Sequence, residues 1–235
     1  MNAKVLVLTL IGMVLLINIS EAQKQIDFGV KGGLNISGLD LSQIGKLVGV
    51  SYNVRQGYHF GIYAQARRKN LALQPELIFS NQGQNFTTPY YSNLYTQLNY
   101  IQLPVMVKYY LTGGLYVQAG PQISRLTGAN GYIMPVDNQG NVGQPTVADL
   151  KRYIHQYDFS FGFGAGLELP FGGGISFRYT NGISDINKYS GSTSFPTNGQ
   201  GQVLTHSLST SYARNQVFQI SLTYKIEKLK IKLEK

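Results

Sequence analysis

The stretch YDFSFGFGAGLEL, residues 157–169, separates by parity. Tyr157, Phe159, Phe161, Phe163, Ala165, Leu167 and Leu169 are apolar, whereas Asp158, Ser160, Gly162, Gly164, Gly166 and Glu168 are polar or lack a side chain. A helix would scatter both sets around its circumference. An extended chain, whose side chains alternate between two faces, keeps them apart. The segment predicts a β-strand with one greasy face, and a tilted strand of about ten residues is long enough to cross the hydrocarbon of a bilayer.

Seven other segments carry the same pattern. Ile26, Phe28, Val30, Leu34 and Ile36 oppose Asp27, Lys31 and Asn35, and Tyr58, Phe60, Ile62, Ala64 and Ala66 oppose His59, Gly61, Tyr63 and Gln65. Leu71, Leu73, Pro75, Leu77 and Phe79 oppose Gln74, Glu76, Ser80 and Gln82, with Pro75 an irregularity because it lacks a ladder donor. Ile101, Leu103, Val105, Val107 and Tyr109 alternate with Tyr100, Gln102, Met106 and Lys108, and Leu115, Val117, Ala119 and Ile123 with Tyr116, Gln118, Gln122 and Ser124. The last two segments set Ile175, Phe177 and Tyr179 against Ser176, Arg178 and Thr180, and Phe218, Ile220, Leu222, Tyr224 and Ile226 against Gln219, Ser221, Thr223 and Lys225.

The connections alternate in length: short near residues 67–70, 112–114 and 170–174, long over about 37–56, 83–97, 127–156 and 184–213. That asymmetry predicts an all-β, eight-stranded antiparallel up-and-down transmembrane barrel, with short turns on the periplasmic side and long polar loops outside. Alternation alone also fits a soluble lipocalin-like barrel with a greasy interior. The apolar set of about 40 residues is too large for an eight-stranded interior and suits a lipid-facing belt. The polar set is therefore assigned to the lumen, as a network of Glu76, Lys108, Glu168, Arg178, His59, Gln74, Gln102 and Gln118.

Lys4, the apolar run from Val5 to Ile19 and the small residues Ser20 and Ala22 read as a signal peptide over residues 1–22, cleaved after Ala22 on export to the outer membrane. The barrel is assigned to residues 23–226 and a basic, solvated C-terminal tail to 227–235. Cysteine is absent, so disulfides contribute nothing to the exported chain. The formal charge of +9 concentrates in places such as Arg67-Arg68-Lys69 and the C-terminus, and an exported chain has no nucleic acid to meet.

Phe28-Gly29-Val30-Lys31-Gly32-Gly33-Leu34-Asn35, Leu73-Gln74-Pro75-Glu76-Leu77, Tyr100-Ile101-Gln102-Leu103-Pro104, Ala119-Gly120-Pro121 and Gly164-Ala165-Gly166-Leu167-Glu168, in this order, resemble the PorT-like outer-membrane β-barrel family common in Bacteroidota. The resemblance implies an eight-stranded barrel usually without an assigned activity. One member assists protein secretion, which makes an accessory role in secretion or envelope assembly the alternative function. The chain departs from such barrels in running past Tyr224, because they commonly stop at an aromatic residue.

Catalytic, cofactor and metal sites are expected to be absent. A lipid-modifying enzyme would need a Ser or carboxylate beside His, and the three histidines, His59, His155 and His206, show no such spacing; His155 near Asp149 and Asp158, or His206 near Ser207 and Ser209, is chance loop composition. Gly162-x-Gly164-x-Gly166 lies within a strand, where its glycines clear space for bulky lumen neighbours, so it is no phosphate loop. Glu76, Lys108, Glu168 and Arg178 could relay protons, but charges in a closed lumen more often pair for structure. An eight-stranded barrel is filled by its own side chains, which leaves no wide pore. The expected function is structural or interactive: a monomer surrounded by outer-membrane lipid, with protein or glycan partners recognised by the outer loops.

Overall fold

The computed structural model describes residues 25–40, 51–88, 91–135, 144, 146–188 and 212–230. The signal peptide assigned to 1–22, His206 with Ser207 and Ser209, and residues 231–235 of the tail lie outside them. Nine strands are described: β1 (Gln25–Asp40), β2 (Ser51–Arg68), β3 (Leu71–Thr88), β4 (Tyr91–Tyr110), β5 (Leu115–Pro135), β6 (Thr146–Asp149), β7 (Tyr157–Glu168), β8 (Gly173–Gly182) and β9 (Arg214–Lys230). Each of eight strands pairs antiparallel with its neighbours in the order β1-β2-β3-β4-β5-β7-β8-β9, and β9 pairs back to β1. The barrel is closed and up-and-down. β6 stands outside this ring, paired with β5 only at residues Asn130 to Ile133, above the point where β7 leaves it.

Adjacent residues show which face is which: Leu222 is 67% exposed and Ser221 1%, and Ile62 is 57% exposed and Tyr63 5%. Every apolar set read from the sequence points outward, and the polar sets line the lumen. The belt has even height. It runs from Phe28 to Ile36 in β1, Leu71 to Phe79 in β3, Ile101 to Tyr109 in β4, Leu115 to Ile123 in β5 and Phe159 to Leu167 in β7. At about 3.3 Å per residue and a tilt near 40°, such a span rises roughly 23 Å, the height of the apolar band of an outer-membrane barrel. Pro75, which faces outward, leaves the register intact, since Tyr63↔Glu76 and Ala66↔Leu73 on one side and Leu73↔Val107 and Ile78↔Gln102 on the other keep one offset.

Four boundaries differ from the sequence reading. β3, β4 and β5 extend far beyond the belt, so the loop expected over 83–97 is mostly a paired hairpin and the one over 127–156 is trimmed by strand, while β1 and β2 trim the one over 37–56. Above the bilayer the outer face is released from the demand to be apolar, so the parity signal fades while backbone pairing persists. The tail assigned from 227 also begins later. Gly29 pairs with Lys225 but Phe28 with Glu227, leaving Ile226 as a bulge after which β9 stays paired with β1 to Lys230. One inserted residue shifts the backbone pairing by one position beyond it, in step with the change of sequence parity between Tyr224 and Leu229.

Ala119 and Phe163 pair at mid-height of the belt, and Phe163 is 54% exposed there. Phe163→Arg should destabilise the barrel by about 2–4 kcal/mol, and Tyr157→Arg, at the belt's edge, by no more than about 1 kcal/mol. Denaturant titration of protein folded into vesicles measures both. Equal losses would contradict the depth assignment.

Candidate functional site: the lumen and the loop-end surface

The lumen holds two charged clusters. In the first, Arg178 on β8 makes a two-pronged contact with Glu76 on β3, Nη1 donating to Oε2 at 2.9 Å and Nη2 to Oε1 at 2.6 Å. Lys31 on β1 donates to Glu76 Oε2 at 3.3 Å, Gln74 Nε2 to Oε1 at 2.7 Å, and Arg178 also reaches Gln118 Oε1 at 3.3 Å. One fully enclosed carboxylate therefore serves two cations. In the second cluster, Glu168 on β7 accepts from Lys108 at 3.2 Å, Lys225 at 2.8 Å and Tyr110 at 2.5 Å, while Lys225 also contacts Asp27 at 3.1 Å. Gln65 Oε1 accepts from both Lys108 and Tyr110.

Formal charges in the lumen cancel, with Lys31, Lys108, Arg178 and Lys225 balancing Asp27, Glu76, Asp158 and Glu168. Balance is what a low-dielectric enclosure requires, because an uncompensated charge there costs several kcal/mol. The glycines make room for the large partners. A Cβ on Gly166 would overlap the Tyr116 ring and one on Gly29 the Tyr63 ring.

Both ends are plugged. At the turn end Ala72, Tyr110 and Tyr116 pack together, with the Arg67 guanidinium 3.6 Å over the Tyr110 ring. At the loop end, the chain after β6 forms a 3₁₀ turn over Lys151–Tyr153. Tyr153 at its end and the flanking Leu150 and Ile154 fold onto Leu98, Tyr100, Leu126, Ala129, Ile186 and Ala213. This lid leaves a cavity of only about 20 Å³. Beneath it Asp158 accepts from Ser184 at 2.6 Å and from Asn215 at 2.8 Å.

All eight residues assigned to the lumen network do face the lumen. Glu76, Arg178, Gln74 and Gln118 form the first cluster, and Lys108 and Glu168 belong to the second. Gln102 lines the wall, its Oε1 without a partner among the described residues. His59 lies in neither cluster: Nδ1 is 2.8 Å from Asn35 Oδ1 and Nε2 is 2.9 Å from Ser221 Oγ. Sequence spacing did not disclose this Ser–His–Asn arrangement, because Ser221 and His59 come together only through barrel closure. Its three members are 2% exposed or less, and Asn35 is further held by Ser80 and Gln219. The network reading also omitted Lys31, Asp27, Lys225, Gln65 and Tyr110, although the first four already stood on its polar faces. His155 is exposed on the lid, apart from the enclosed Asp158.

Outside the membrane zone a groove of about 420 Å³ opens among Val54, Arg55, Gln56, Asn85 and Tyr95. Arg55 lies 5.6 Å from the centroid of Tyr95, which stacks on Tyr132 at 4.5 Å, and Arg55 Nη1 donates to Asn81 at 2.8 Å.

A closed barrel with a lipid-facing belt and a charged, plugged lumen defines an integral membrane protein of the small outer-membrane class. Residues 21–188 match the family described as "Outer membrane protein beta-barrel domain"; the chain belongs to that family, and its location is the outer membrane. No curated protein matches the sequence. Among solved structures, the chain is similar to Neisserial surface protein A (10% identity, 85% of this chain and 97% of that one, TM-score 0.45). It is similar also to Ail of Yersinia pestis bound to the heparin analogue sucrose octasulfate (7%, 86% and 99%, TM-score 0.44). A third is OprG of Pseudomonas aeruginosa (12%, 88% and 98%, TM-score 0.39).

Because Glu76 serves two cations, its loss should cost more than the loss of either one. Glu76→Gln strands Arg178 and Lys31 together, whereas Arg178→Met leaves Glu76 paired with Lys31. Removing one partner of a buried pair costs about 3–5 kcal/mol, so Arg178→Met is expected near the lower bound and Glu76→Gln at or above the upper. Urea midpoints of the folded barrels in micelles test the order, and the reverse order would refute the shared-carboxylate reading.

Proposed function

We propose that this protein is an interaction module of the outer membrane: a rigid barrel that holds a recognition surface beyond the bilayer and conducts no solute. The observation that carries this reading is the overshoot of the sheet. β3 continues from Phe79 to Thr88, β4 begins at Tyr91 and reaches the belt only at Ile101, and β5 runs past Ile123 to Pro135. Membrane crossing has no use for the surplus. A paired, stiff extension is a platform of the kind on which binding sites sit, and it carries the groove of Arg55, Gln56, Asn85 and Tyr95.

That groove offers a guanidinium, amides and an aromatic face, groups that suit a polar protein segment or a glycan. The long connections face outward in this reading, by the asymmetry common to such barrels, and a cleaved signal over 1–22 would deliver the chain. The order of motifs supports the narrower PorT-like affiliation, and an accessory role in secretion would then appear as capture of secretion components. We read the chain as non-enzymatic and monomeric. The Ser221–His59–Asn35 set is enclosed and acts as a lumen strut.

Two outcomes are expected. Arg55→Ala combined with Tyr95→Ala should abolish partner capture from surface-crosslinked cells while the barrel keeps its folded mobility in unheated gels; an unchanged set of captured partners would remove the groove from the reading. A fluorophosphonate probe should leave Ser221 unlabelled in the folded protein, and labelling that disappears in Ser221→Ala would reinstate the hydrolase.

A further inference from the structure

We infer that the rim of the barrel at its loop end is a binding site for phosphate-bearing lipid headgroups, built from Arg125, Lys151, Arg152 and Lys188. The inference rests on the membrane placement of the barrel and is independent of the groove described above. It starts from the distribution of charge. Among the residues whose side chains are described, the lumen uses four cations and four anions, which leaves nine other Lys and Arg but only two other acids, Asp149 and Asp185.

Height above the belt decides what part of that excess meets. On β5 the outward positions Leu115, Val117, Ala119, Pro121 and Ile123 are followed by Arg125, which pairs across to Tyr157 on β7 and Ile101 on β4. Arg125 is thus the first outward residue above the hydrocarbon, beside an aromatic ring of the kind that settles at the membrane interface. Two residues further on, exposed Thr127 accepts from Lys151 Nζ through its carbonyl at 3.1 Å, and Lys188 Nζ donates to the Arg152 carbonyl at 3.3 Å. These bonds hold the lid's cations against the rim.

Arg125, Lys151, Arg152 and Lys188 are all exposed, and none forms a salt bridge among the described residues. Asp149 and Asp185, the nearby acids, each direct an oxygen to backbone amides: Asp149 to that of Lys151, Asp185 to those of Asn187 and Ala213. Arg125 at the upper edge of the belt, with three further exposed cations on the lid that Lys151 ties to Thr127, matches an anionic headgroup in charge and position. A basic residue near an anionic lipid surface is drawn to it, and guanidinium groups favour phosphate.

The full-length barrel in neutral micelles would be titrated with bisphosphorylated lipid A, with phosphatidylcholine and with inorganic phosphate, and bound lipid counted by native mass spectrometry. Lipid A should be retained at least about tenfold more strongly than phosphatidylcholine, and less so as salt rises. Replacing all four cations by Gln should remove that preference, whereas R67Q/R68Q/K69Q at the opposite end should leave it. Should the fourfold variant fail to fold, R125Q and R152Q singly are each expected to weaken retention several-fold. Undiminished retention in folded variants, equal retention of phosphatidylcholine, or saturation by inorganic phosphate at the same concentration as lipid A would each overturn the inference.

Discussion

Inside hydrocarbon there is no water to satisfy a backbone amide, so a strand can cross a bilayer only if both of its edges are paired. Closure meets that demand here: β9 returns to β1, β4 joins β5, and no strand of the belt keeps a free edge. Once the ring is closed, the choice of faces follows. Lipid accepts only apolar groups on the outside, and alternation then delivers the other half of each strand to the lumen. The lumen's polarity permits the belt to be continuous, and the enclosure in turn obliges the polar groups to pair with one another.

That obligation explains the form of the interior better than any catalytic demand does. Glu76 is divided between Arg178 and Lys31, Glu168 between Lys108 and Lys225, and His59 has both ring nitrogens engaged by Asn35 and Ser221. All of these contacts except His59–Asn35 tie strands that share no ladder: β8 and β1 to β3, β4 and β9 to β7, β9 to β2. They supplement the hydrogen-bonded wall in a chain that has no disulfide. Apolar clusters sit at either end, and the fully buried pairs of Glu76, unlike the partly accessible Glu168–Lys225 pair, are screened less than surface pairs would be.

What could be read from the sequence is what lipid imposes strand by strand. Parity identified the outward and inward sets because each strand answers to the bilayer independently. Cross-lumen pairings were hidden, since whether Lys31 meets Glu76 or Ser221 meets His59 depends on the stagger of eight strands at once, and parity carries no stagger. Strand ends were hidden for a different reason: above Phe79 and below Ile101 the outer surface is wet, and polar residues on both faces look like loop. The slip of parity after Tyr224 was visible, but its cause, a bulge at Ile226, appears only when β1 is laid beside β9.

The same physics separates the two ends of the molecule. At the turn end, strands stop within a few residues of the belt, as they must if the chain is merely to reverse. At the loop end they continue, and β6 is added to β5 where β7 has departed, so the sheet opens from a cylinder into a blade edged by β6. A blade has edges, which hydrocarbon forbids and water allows. Its presence marks where the bilayer's constraint ends, and the first outward residue past that limit on β5 is Arg125, a charge that the belt below it excludes. The position of the membrane is thus recorded twice, in where the apolar alternation stops and in where unpaired cations begin.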